Sequence, residues 1–443
     1  MKKVLVLSYV FPPFFSVGGS IRVVKFIKYM IELGWTPSIL TIDDSKEYDT
    51  QRKEGSNSLL SDIPNEAKIF RTISGEVSLE SLEKGRNIRD KYPLAGKILS
   101  FLSSLRSMVN RYVLIPDENV TWLPFAVKLG RKIIEEENVN LLFVTCPPHS
   151  AALVGMILKW MSRRKLIFGF RDDWVGTSIH NSKPKICQLF EKCLEKMVIR
   201  AADKVILVTE ESRLSLIERY PHFSHDKFCL IPNGCDIREF SETDSLPTNA
   251  FSSKFLIFHA GLLTSMKETL RTPESFFLAL SEIRNSYPSI ASEIVTVFAG
   301  QVPHKYCELA AKLGLLDSIK EVGNLSHQEA IQHMKKANLL LAIATDGFPN
   351  SIPGKLYEYW AAGNAPILLI GHQGAAQKLI EKNKLGVTVS PENIDDIRSF
   401  ILKAFRQHRS GQPLRIQTKG LEEFDRRTLA TKLVKTFESV LFR

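Results

Sequence analysis

At 443 residues, 44% hydrophobic and 24% charged, the chain has enough material for two domains with a core each and the composition of a soluble globular protein. Its net charge of +11 is concentrated: residues 151–200 and residues 401–443 each hold ten Lys/Arg against four Asp/Glu, a surplus of +6 apiece. A surface of that kind excludes cationic partners and suits anionic ones such as lipid headgroups or a diphosphate-bearing acceptor, while the lack of any aromatic-plus-basic recognition motif argues against nucleic acid.

Short β-branched runs alternate with amphipathic helical segments along the chain, which predicts parallel sheets with crossover helices. The first strand, residues 3–9, begins so close to Met1 that no leader peptide is expected. It runs into a Phe/Pro-rich loop ending in Gly18-Gly19, a pair that lets backbone approach a ligand and that also suits an ordinary turn. Arg22 follows, with no indication of whether it points inward. Residues 37–41 form the second strand. Residues 45–115 fit no strand–helix alternation and read as an insertion. Within them Ile98, Phe101, Leu102, Leu105, Met108, Val109 and Tyr112 recur at helical spacing, a stripe that suits a core-packed helix or one lying in a membrane interface.

The strand at 141–145 ends in Thr145-Cys146-Pro147-Pro148-His149-Ser150, at the carboxyl edge where open α/β sheets bind ligands. The two prolines also interrupt the only stretch that approaches the length of a membrane span. His149 there either polarises a hydroxyl or a phosphate, or simply opens the next helix. The strand at 166–170 ends in Arg171-Asp172-Asp173-Trp174. Asp172 would orient an acceptor hydroxyl, or else cap a helix or pair with Arg171. One acidic pair without further ligands makes no metal site, and none is expected. The six cysteines contain no C-x-x-C pair, which points to reduced, cytoplasmic thiols. A strand at 204–208 closes the first set, and the turn Pro232-Asn233-Gly234-Cys235-Asp236 with the polar stretch 241–249 places a hinge near 232–250.

The second set of strands falls at 255–260, 294–299, 338–344, 365–370 and 386–389. After the strand at 338–344, Asn350, Ser351, Ile352, Pro353 and Gly354 form a loop poor in helix formers, followed by a helix from Lys355 to Ala362 and a Gly363-Asn364 stop. A loop of this kind between strand and helix holds anions, because free N–H groups and the helix dipole point into it. Lys355 adds charge for a phosphate, and Glu358, one turn on, can accept hydrogen bonds from vicinal hydroxyls. Phosphate plus diol suggests a nucleotide; the plain alternative is a helix capped by Ser351 with Lys355 and Glu358 in solvent.

The segment from Pro349 to Ile370 resembles the donor-binding segment of the GT-B nucleotide-sugar glycosyltransferases of the retaining group 1, or family 4, type. The Gly18-Gly19 loop, the Pro-Pro-His loop, Arg171-Asp-x-Trp174, Asp117 and Trp122, the Pro-Asn-Gly turn and the segment Gly261–Arg271 follow the same family order. The resemblance implies an α/β chain of GT-B fold with two doubly wound Rossmann-like domains: an acceptor-side domain at 1–235, a nucleotide-sugar domain at 250–424, and a final helix at 425–443 crossing back to the first. It assigns Gly18, Gly19, Gly261, Lys267, Arg271, Asn350, Ser351, Gly354, Lys355 and Glu358 to the donor, and Arg171, Asp172 and Trp174 to the acceptor. His149, Asp172, Lys267 and Arg271 would serve the chemistry. Two positions depart from the pattern. The first of the family's two glutamates falls at Asn350, and Leu262 stands where an arginine is common, so Arg271 would supply the guanidinium from elsewhere and Lys267 would matter more than Arg271.

The activity implied is transfer of a sugar from a nucleotide-diphosphate sugar, a UDP-sugar first, to a hydroxyl of a glycan or a polyprenyl-diphosphate-linked acceptor, with retention and without a metal or other cofactor. Polysaccharide, lipopolysaccharide or glycolipid assembly at the cytoplasmic face of a membrane, with peripheral contact to anionic lipid, is the setting expected. A nucleotide-sugar 2-epimerase of the same fold and a non-catalytic ligand-binding relative remain open alternatives.

Overall fold

Continuous apolar runs build the centres of two separate parallel sheets. The computed structural model describes residues 2–13, 19–43, 57–74, 114–241, 254–265 and 270–442. The chain divides into one unit of Met1–Ile231 with Ala430–Arg443 and another of Pro232–Leu429.

The first unit carries β1 (Lys2–Ser8), β2 (Trp35–Ile42), β3 (Lys68–Thr72), β4 (Leu141–Cys146), β5 (Lys165–Phe170), β6 (Lys204–Leu207) and β7 (Phe228–Leu230) in the spatial order β3-β2-β1-β4-β5-β6-β7. Every pairing is parallel. The central strands are covered on both faces, so their sequences are apolar throughout rather than alternating; β4 is buried at all six positions. Phe437, in the part of the C-terminal helix that belongs to this unit, packs on Trp35 and Phe143 with ring centroids 5.2 and 5.5 Å apart.

The second unit carries β8 (Phe255–Ala260), β9 (Ile294–Ala299), β10 (Ile319–Gly323), β11 (Leu339–Ile343), β12 (Ile367–Ile370) and β13 (Gly386–Val389), ordered β10-β9-β8-β11-β12-β13 and again parallel. In each sheet the chain first winds outward to one edge and then returns to the far side of the starting strand. The order therefore reverses between β1 and β4 in one unit and between β8 and β11 in the other. Loops leaving the carboxyl ends of such a strand pair diverge and leave a crevice for a ligand.

Three strands lie outside the sequence expectation. β3, with the short helix Asn57–Leu60 before it, stands inside the stretch 45–115 that showed no alternation. β7 and β10 complete the other two additions. All three are sheet edges. An edge strand is covered on fewer sides, so Lys and Arg in β3 and Lys and Glu in β10 break the apolar run that marks a central strand. The apolar stripe at 98–112 lies outside the described residues.

Candidate functional site

The crevice of the second sheet is built around one buried lysine nitrogen. Gly261 ends β8 with φ of +124°, a conformation that favours glycine, and a Cβ there would stand 2.9 Å from Lys355 Nζ. The missing side chain is the space into which Lys355 reaches. Gly300, after β9, has φ of +127°, and a Cβ on it would meet the Gly261 carbonyl oxygen at 2.6 Å. Two glycines thus let the β8 and β9 loops close on each other. The stem of Lys355 touches solvent, but its Nζ is buried and has no hydrogen-bond partner among the described residues. Burial first, then repulsion from the Arg271 guanidinium, lowers its pKa from 10.5 to about 7, while attraction to Glu358 works the other way.

Arg271 enters the same crevice from the loop that follows β8. Thr264 and Arg271 pair through two backbone hydrogen bonds of 3.2 Å, closing the segment between them, and the Leu270 carbonyl accepts from the Asp346 N–H at 3.0 Å. Arg271 Nε donates to Thr345 Oγ1 at 2.5 Å, which ties the guanidinium to the residues following β11. Lys267 lies outside the described residues, as does Gly18. Leu262, at the position of the expected arginine, is 40% exposed.

The helix Lys355–Ala362 begins at Gly354 with no side-chain cap, so Ser351 does not play the capping role that the plain reading of this segment requires. The Leu356 and Tyr357 N–H groups donate to the Pro353 and Gly354 carbonyls at 3.0 and 3.1 Å, and the helix dipole puts its positive end at this loop. It ends at Gly363, φ +69°, a left-handed C-cap. Asn350 and Ser351 both have partners in the fold, and the Ser351 N–H donates to the Phe348 carbonyl at 3.1 Å. Glu358 lies one turn into the helix, partly buried, and its charge acts on Lys355 on one side and on the buried Arg426 on the other.

Two residues at this crevice carried no weight in the sequence reading. His259, one residue before the end of β8, is 1% exposed; its Nδ1 lies 3.0 Å from the Leu341 carbonyl and its Nε2 has no partner among the described residues. Burial first, then the neighbouring Lys355, pushes its pKa well below the usual value, so the ring is neutral. Tyr359 receives the Ala260 N–H at 2.8 Å and donates to Leu341 O at 3.1 Å, stitching the helix to β8 and β11 at the point where their order reverses. A polar ring inside an otherwise apolar strand was the available signal for His259.

The first unit gathers a second set of residues at its own reversal point. Arg171 donates from Nε to Cys146 O at 3.2 Å and from Nη2 to Pro147 O at 2.6 Å. A Cβ on Gly19 would lie 1.4 Å from Arg171 Nη1, so only glycine leaves room for the guanidinium there. Arg171 thereby meets the start of the helix Gly19–Glu32 and the loops after β4 and β5, with Asp172 beside it as an attracting charge. His149 stacks on Trp174, centroids 4.6 Å apart and planes 7° from parallel, and its Nδ1 is buried without a partner among the described residues. Desolvation, then Lys183 and Arg171, lowers its pKa to about 3, so it is a neutral imidazole. Trp174 is buried, and its Nε1 has no partner among the described residues. Asp117 receives the Ser150 and Asn119 N–H groups, holding the start of the helix that His149 precedes. Arg22 points inward, donating to the Ile231 carbonyl at 2.8 Å.

A family model described as Glycosyltransferase Family 4 matches residues 18–239, just over half of the 443-residue chain. No curated protein sequence matches. Among solved structures, a sucrose-phosphate synthase of Thermosynechococcus elongatus superposes with a TM-score of 0.67 at 14% identity, over 99% of each chain. Anabaena Alr3699/HepE, solved with UDP-glucose, gives 0.63 at 16% identity over 99% of this chain and 100% of its own. The lipopolysaccharide outer core galactosyltransferase WaaB gives 0.56 at 14% identity over 99% of each. With the two parallel sheets, these likenesses make the fold GT-B.

Proposed function

We propose that this chain, which belongs to glycosyltransferase family 4 and is a retaining glycosyltransferase, takes a sugar from a nucleotide-diphosphate sugar held in the crevice between β8 and β11. The observation that carries this reading is the buried, unpartnered Lys355 Nζ, set against Gly261 and beside Arg271. Two cations whose charges repel each other in an apolar surround are unfavourable in the free protein and become favourable when a dianion arrives between them. The N-terminus of the Lys355 helix adds the favourable end of its dipole. Glu358 accepts from the ribose hydroxyls, and Lys267 completes the clamp on the diphosphate.

In the reaction, the bond between the anomeric carbon and the β-phosphate oxygen breaks, and the bond to the acceptor oxygen forms on the same face. The acceptor proton passes to the departing phosphate oxygen. Lys355, Arg271 and Lys267 neutralise the charge that develops on that leaving group. In the first unit, neutral His149 is suited to exchange a hydrogen bond with a sugar hydroxyl, and Asp172 to orient the acceptor. The acceptor itself is a glycan or polyprenyl-diphosphate-linked hydroxyl, and UDP is the nucleotide favoured, since structural relatives were solved with it.

Calorimetric titration with UDP-, GDP-, ADP- and CDP-sugars tests the reading. One nucleotide sugar should bind. Lys355→Ala should abolish binding, and Glu358→Ala should weaken it by about 1.5–3 kcal/mol, the size of a lost charge-assisted hydrogen bond. Unchanged affinity in both variants, with fold intact by circular dichroism, would remove this crevice from the donor site.

A further inference from the structure

The helix Lys185–Ala201, on the first unit, separates its charges by sign. Its two acids point inward: Glu191 is 1% exposed and paired with Lys183, and Glu195 is 1% exposed and holds Arg219 at 2.9 Å and the Tyr220 hydroxyl at 2.7 Å. Its outward face has no carboxylate. Instead Ile186, Leu189, Phe190 and Met197 stand out at 56%, 58%, 56% and 52% exposure. Spacings of three, four and seven put them on one side of the helix. Lys185, Lys192 and Lys196, exposed and seven and four residues apart, run along one border of that stripe, and exposed Arg200 closes its end. Among the described residues none of these four cations has an ion-pair partner. On the helix Ser150–Ser162, packed alongside, Trp160 is 84% exposed.

Large apolar side chains exposed singly are ordinary; four in register, bordered by unpaired cations and no anion, are not. Burial inside the protein is already satisfied on the helix's other face, where Cys187, Val198 and Ile199 join the core with the two glutamates. The outward arrangement is that of a helix lying in an interface, apolar side chains among acyl chains and ammonium groups at the level of phosphates. A protein partner of matching chemistry would have to present acids around an apolar groove, whereas an anionic bilayer offers both in any orientation.

We infer that the outward face of Lys185–Ala201 is a docking surface for anionic phospholipid bilayer. It places four of the ten cations of residues 151–200 on a defined element, and it is independent of the donor crevice, which lies in the other unit.

The test is co-sedimentation of the full chain with vesicles of phosphatidylglycerol and phosphatidylcholine, against phosphatidylcholine alone. Binding is expected to the anionic vesicles and to fall steadily as salt is raised from about 0.05 to 0.5 M, as screening shortens the reach of the lysines. Replacing Lys185, Lys192 and Lys196 together by Gln should weaken partitioning about a hundredfold, and Leu189→Ser with Phe190→Ser about tenfold, by loss of charge attraction and of apolar burial respectively. Both variants should keep the parent's melting temperature and nucleotide-sugar affinity, which separates failure of this surface from failure of the donor site. Three results would each overturn the inference: no binding to anionic vesicles at low salt, variants that bind as the parent does, or a dimer of the parent in sedimentation that the apolar double variant dissolves.

Discussion

At the scale of single residues, Lys355 is the group whose chemistry is most constrained by its surroundings. Burial and Arg271 hold its pKa near 7, while the unfolded chain keeps that proton to about 10.5. Between those two values the unfolded state binds more protons, so Lys355 makes the free protein more stable as pH rises through the window and less stable below it. A bound diphosphate inverts the preference, because the dianion favours the ammonium and raises its pKa. Binding of UDP at pH 8 should therefore take up a proton, measurable as a heat that changes with buffer ionisation enthalpy. Affinity should fall by up to about tenfold per pH unit above 7. The proton uptake should vanish in Lys355→Ala; proton uptake equal to the parent's in that variant would assign the titration to another group. His149 offers a contrast within the same chain: with its pKa near 3 it stays neutral across this range and contributes no slope.

At the scale of elements, the site depends on glycines more than on helices. Gly261→Ala should be damaging twice over, since an L side chain strains at φ +124° and the new methyl would press on Lys355 Nζ. A loss of about 1–3 kcal/mol in stability and a larger loss in UDP affinity is expected, read by chemical denaturation and calorimetry. If affinity stays at the parent's level, Lys355 does not need the space above Gly261. Elements also show what a sequence can display. Central strands such as β4 and β11 are buried throughout and read directly as apolar runs, whereas β3 and β10 sit at edges where charge breaks the run and β7, also an edge, is only three residues long. Lys355 and Glu358 were legible because a Gly/Pro loop followed by a short helix is a local pattern. His259, Tyr359 and Thr345 were not, because what selects them is contact with strands and loops distant in sequence: Leu341 O for the first two, Arg271 for the third. Nor could spacing show that Arg171 is spent on the carbonyls of Cys146 and Pro147.

At the scale of the molecule, each sheet has its own core and its own reversal point, and the buried groups without a partner among the described residues can be compared at those two points. At the second unit's point stand Lys355 Nζ and the neutral His259 Nε2; at the first unit's stand the neutral His149 Nδ1 and the Trp174 indole N–H. A cation calls for a phosphate, and neutral donors and acceptors call for hydroxyls, which is why donor and acceptor are assigned to different units. Hydrogen exchange of the full chain separates the two. Saturating UDP should protect amides around 259–265 and 339–362, because a ligand that binds only the native state raises the cost of local opening in the region it contacts, by about 2.7 kcal/mol at a hundredfold excess over its dissociation constant. Amides at 149–152 and 171–176 should keep the exchange rates of the free protein under the same conditions. Protection there equal to that around Lys355 would place the nucleotide against the first unit and reverse the division of labour.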